Sequence, residues 1–93
     1  MSQIKLVGRE LSVVRAIEHQ GSTGQYLHER TGIEASDLLD ILSGMMEMGY
    51  VEAYPDGHNL PTMEPVRMAQ LHTARFEINP SYYQEIKKVL LRR

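Results

Sequence analysis

Residues 32–51 read G-I-E-A-S-D-L-L-D-I-L-S-G-M-M-E-M-G-Y-V. The stretch opens and closes on glycine. Between them Leu38, Ile41, Leu42, Met45 and Met48 recur at spacings of three and four, the pattern of a helix with one buried face. Glu34 or Ser36 can cap its start, and Asp37 suits the positive end of the helix dipole. Gly49 can take the left-handed conformation that ends a helix. Tyr50-Val51-Glu52-Ala53-Tyr54 is rich in β-formers and reads as a strand.

Upstream, Ile4, Leu6 and Val7 form a short lead able to dock on a core. A first helix is expected over about residues 10–20, with Leu11, Val14 and Ile17 on one stripe, and Gly21 ends it. Ser22-Thr23-Gly24-Gln25 fits a capping box with Ser22 as the cap. A second helix follows over about 23–31, burying Tyr26 and Leu27, and stops at Gly32. The third spans about 35–48.

Downstream, Pro55-Asp56-Gly57-His58-Asn59 is a turn signal, and Pro61 and Pro65 exclude a regular central strand over 55–65. Val66–Leu71 fits a strand or a helix equally. Thr73–Ile78 alternates, with Ala74, Phe76 and Ile78 inward. Paired with Tyr50–Tyr54, it makes a two-stranded ribbon over about 50–78 with an unusually long loop at 55–72. Asn79-Pro80 starts a last helix over about 80–92, with Tyr82, Tyr83, Ile86, Val89 and Leu90 on one face.

Helix, Gly-Ser-Thr, helix, Thr-Gly-Ile, helix, Met-Gly-Tyr-Val and strand resembles the winged helix-turn-helix regulators of the MarR and ArsR kind. The resemblance covers Leu11–Tyr54 and again Thr73 onward. It implies an α+β, mainly α domain. Its parts would be a three-helix core, a two-stranded wing and an extra C-terminal helix, and the long wing loop departs from the family's usual short one. It also implies a DNA-reading third helix and a role in transcription regulation. The same fold serves protein contacts as well.

Ninety-three residues make one domain with a modest core. Cysteine is absent, which removes disulfides and thiolate metal sites and makes a cytoplasmic setting the expectation. The sequence shows no signal-peptide core and no apolar run near the roughly 18 residues of a membrane span, so no membrane partner is expected. The net charge is −2, whereas nucleic-acid binders are usually basic.

That charge is unevenly spread. Residues 31–66 hold seven carboxylates and no Lys or Arg, whereas residues 67–93 hold six bases and two acids. Winding the third helix at about 100° per residue puts Ser36, Asp40, Ser43 and Glu47 opposite the buried stripe. Ala35, Leu39 and Met46 fall at its edges. A groove-reading face with two carboxylates and no base would meet a polyanion unfavourably.

Two readings of that face stay open. It is a solvated helix surface, or the widened apolar arc marks a protein interface. In the second reading the interface residues are Ala35, Leu39, Ser43, Gly44, Met46 and Glu47. Gly44 would then permit a close backbone approach, for which a mid-helix glycine costs roughly 1 kcal/mol. Tyr82, Ile86 and Val89 are candidates for a homodimer seam. They also suit packing back on the first helix within the monomer. The expected function is therefore a winged-helix regulatory module acting through protein contacts, to a partner or to itself. The alternative is a double-stranded DNA regulator. It would use Arg30, Ser36, Ser43, Arg67 and Arg75, with Lys87, Lys88, Arg92 and Arg93 on phosphates.

Catalysis and metal binding find little support in the pattern. His19, His28, His58 and His72 show no i,i+4 pairing. No phosphate loop, nucleophile elbow or paired carboxylates are seen. No enzyme activity, cofactor or metal is expected.

Overall fold

The computed structural model describes Leu6, residues 8–18 and residues 20–91. The first helix, α1 (Arg9–Ala16), buries Val13, Val14 and Ala16. It ends four residues earlier than its apolar period suggests, because the chain turns extended at Ile17. Ser22 is the cause. Its buried hydroxyl accepts from the Glu18 amide at 2.9 Å and reaches the Ala16 carbonyl at 3.4 Å. A continuing helix would need that amide for its own ladder.

Ser22 is therefore not the cap of the second helix. It pairs in a short strand, β1 (Ser22–Thr23), and Thr23 is the cap, accepting from the Tyr26 amide at 3.1 Å. Helix α2 (Gly24–Thr31) follows. Its first amides are also satisfied across the fold, Gly24 by the Ala74 carbonyl at 3.0 Å and Gln25 by the His72 carbonyl at 3.2 Å. The turn out of α2 is built on Gly32, at φ 74°. Thr31 braces it, donating to the Leu27 carbonyl at 2.7 Å and accepting from the Ile33 amide at 3.2 Å.

Helix α3 (Ala35–Glu47) buries Leu38, Leu42 and Met45. Glu34 stands at its N-cap but makes no side-chain capping bond. The helix ends at Gly49, φ 82°, with Gly49 and Tyr50 amides bonded to the Met46 and Met45 carbonyls, a Schellman closure. Met48 belongs to this turn rather than to the helix. It is 61% exposed, not buried as its spacing suggests.

Strand β2 (Val51–Tyr54) leads into the long connection, which contains a one-turn helix, α4 (Met68–Leu71), before β3 (Arg75–Ile78). Segment 66–71 thus ends in helix, held by the Gln70 side chain accepting from the Arg67 amide at 2.9 Å. The sheet has three antiparallel strands in the order β1-β3-β2, not the two expected. Phe76 faces both Ala53 and Ser22. Two residues of β1 are too few to leave a periodic signal.

The connection is less free than its prolines imply. Val66 and Leu71 are buried, and the Thr62 amide bonds the Ala53 carbonyl at 2.8 Å. A 3-10 turn (Pro80–Tyr82) then runs into α5 (Tyr83–Leu91). Asn79 starts it as expected, accepting from the Ser81 amide at 3.0 Å. The architecture is α+β and mainly helical. One apolar core joins Val13, Leu27, Leu38, Leu42, Leu71, Phe76 and Ile86. No described helix is long and apolar enough to cross a membrane.

Candidate protein-binding groove

The outer side of α3, the start of β2 and the loop at 61–65 enclose an open groove of about 480 Å³. The helix supplies Ser43, Met46 and Glu47. The strand supplies Val51 and Glu52, and the loop supplies Pro61 to Pro65. Local chemistry explains its shape. The Schellman turn at Gly49 folds β2 back beside α3, and the Thr62–Ala53 bond lays the loop along β2. Asn79 closes one end. Its side-chain amide donates to the Gly49 carbonyl at 2.8 Å, and its own amide bonds the Tyr50 carbonyl at 2.8 Å.

Apolar and acidic side chains both line the groove. Met46 is partly buried against the core, whereas Met63 on the loop is 97% exposed. Leu60, three residues before it, is also exposed. Glu47, Glu52 and Glu64 are the groove's acidic lining residues. Among the described residues, none of the three has a Lys or Arg within salt-bridge distance. An exposed methionine is a pliant apolar surface.

The residues singled out from sequence divide sharply. Ser43, Met46 and Glu47 come together in the groove. Ala35 and Leu39 lean on the core and do not line it. Gly44 is exposed, and a Cβ there would touch nothing within 4 Å. In α5, Ile86 is 1% exposed and Val89 packs against the core, as does Tyr82 in the 3-10 turn before it. Tyr82 also meets the Tyr50 ring edge-on at 5.2 Å. Ile86 is thus closed within the monomer, whereas Tyr82 and Val89 are only partly buried.

The basic residues do not build a phosphate-binding face on α3. Arg30, Arg67, Lys87 and Lys88 are exposed on other elements, and Ser36 is exposed on α3. Arg75 is engaged within its own chain. Its guanidinium pairs with Glu77 at 2.8 Å and stacks 4.6 Å from the centre of the Tyr54 ring. Burial, then the Glu77 and Glu52 charges, hold the Tyr54 phenol above its ordinary range, against the pull of Arg75. Arg92 and Arg93 lie outside the described residues, as do Ile4, Val7 and His19.

Sequence reasoning missed Leu60, Met63 and Glu52. Two apolar residues among prolines and turn formers were the available signal, because a solvated loop has no use for them. His28 and His72 approach edge to face with centroids 6.4 Å apart. Among the described residues no three His, Cys, Asp or Glu side chains gather as a metal site. Comparison of the chain with known family models, with curated proteins and with solved structures gives no match.

Proposed function

We propose that this chain is a winged-helix regulatory module that acts through protein contacts in the groove beside α3. Support for the winged-helix reading is topological. Helix, short strand, two helices across a glycine turn, then two strands give the sheet order β1-β3-β2. In that reading the ribbon of β2 and β3 with its long connection is the wing, and α3 is the helix presented outward.

One observation carries the choice of partner. The groove is lined by apolar side chains and by three carboxylates without a Lys or Arg partner among the described residues, while α3 and the loop beside it carry no base. A nucleic acid would meet like charge there, which costs several kcal/mol in an interface. A polypeptide would find apolar contact and acceptors for its own cations.

The test is a pair of titrations followed by amide resonances. A helical peptide with lysines and leucines on one face should shift Ser43, Met46, Glu47 and Met63. Mixed-sequence duplex DNA at about 50 mM salt should not, although phosphate contacts are strongest at low salt. Duplex binding with a steep salt slope, and none by the peptide, would overturn this reading. It would move the function to DNA regulation. One observation favours that second reading. Arg30, Arg67, Lys87 and Lys88 are exposed without a carboxylate partner among the described residues.

A further inference from the structure

We infer that the groove beside α3 is filled by the basic end of α5 from a second copy of this chain, the two copies exchanging helices about a two-fold axis. The inference rests on the groove being a protein-binding surface and names its occupant. Two surfaces of opposite character on one chain carry it.

The first is the groove, lined by Met46 and the exposed Met63 together with Glu47, Glu52 and Glu64. The second is the outer side of the last turn of α5. Ile86 faces the core, and Val89 and Leu90 lean on it. That leaves Lys87, Lys88 and Leu91 outward, with Leu91 75% exposed. Lys87 and Lys88 stand four and three residues before Leu91, so the three share one side of the helix. Two ammonium groups flanking an uncovered leucine match carboxylates flanking an uncovered methionine.

Asn79, at the entry to the 3-10 turn and α5, lines that groove. The nine residues of α5 then carry its basic end about 12 Å from its start. Neither lysine pairs with a carboxylate of its own chain among the described residues.

Two-fold exchange makes the contact twice and closes the assembly at two copies. A one-way contact would grow into open chains.

The experiment uses two charge-reversed full chains and sedimentation. One carries Glu47→Lys with Glu64→Lys. The other carries Lys87→Glu with Lys88→Glu. All four positions are on the surface, and circular dichroism checks that each chain is folded. The unaltered chain should dimerise without growing further. Each reversed chain alone sets like charges together at both contacts and should lose roughly tenfold or more in association. Mixed in equal amounts, the two restore opposite charge at both contacts and should dimerise as the unaltered chain does.

An unaltered chain that stays monomeric overturns the inference. So does a dimer indifferent to either reversal, or reversed chains that fail to recover on mixing. The peptide titration above is unaffected by those outcomes, so failure of the occupant is distinguishable from failure of the groove.

Discussion

Gly24 and Leu71 meet backbone to backbone, and a Cβ on Gly24 would drive into the Leu71 carbonyl oxygen. The contact seats the start of α2 on the turn before β3, where the Gly24 and Gln25 amides find their acceptors. Backbone cannot move aside as a side-chain tip can. Gly24→Ala should therefore cost about 3 kcal/mol, the upper range for forced overpacking. Urea unfolding reads it, as a lower midpoint with an unchanged slope.

Gly44 is the opposite case. It lies inside α3, one residue from the groove-lining Ser43, with open space where a Cβ would go. Gly44→Ala should raise stability by about 0.5–1 kcal/mol through helix propensity alone. If a partner's backbone approaches α3 closely at this point, the same change should weaken peptide binding in the groove while the isolated chain gains stability. Unfolding and peptide titration on one variant separate the two effects.

The Tyr54 phenol gives a pH signature. Its folded pKa is raised by burial and by Glu77 and Glu52. The folded state thus keeps the proton after the unfolded chain has lost it near the ordinary value of about 10. The associated stability is complete below that pH and declines as pH rises through the folded value. Tyr54→Phe removes this dependence. The gap between the two proteins in urea midpoint should be constant from pH 8 to about 10 and then move in favour of phenylalanine.

What the sequence made legible follows from period. Leu38, Leu42 and Met45 sit where helical spacing puts them, and Ala53 and Phe76 face each other as alternation requires. Features with no period were hidden. Ser22 ends α1 through a bond to an amide four residues upstream, and its neighbour Thr23 has the same chemistry in the string. β1 exists because β3 is there to pair with it. The groove joins residues from three separate segments, and only Ser43, Met46 and Glu47 share a helix face that winding can display. Met63 is the clearest loss, since nothing local shows that its loop returns along β2.

Asn79 ties these parts together and supplies a discriminating pair of variants. Its carbonyl oxygen accepts from the Ser81 amide at 3.0 Å, and its amide nitrogen donates to the Gly49 carbonyl at 2.8 Å. The first bond caps the turn into α5. The second holds the end of α3 against that cap across thirty residues of sequence. Asn79→Asp keeps an excellent cap but replaces the donor with a carboxylate oxygen facing a carbonyl. Asn79→Ala removes both bonds without adding repulsion. If capping were all that mattered, aspartate would be nearly neutral, and alanine would cost about 1 kcal/mol. Because the tie to Gly49 also counts, aspartate should cost about 1–3 kcal/mol, at least as much as alanine, from a partly buried acceptor left unpaired. Urea midpoints of the two variants rank them. An aspartate protein as stable as the parent would show that the Gly49 turn holds the groove's end without Asn79.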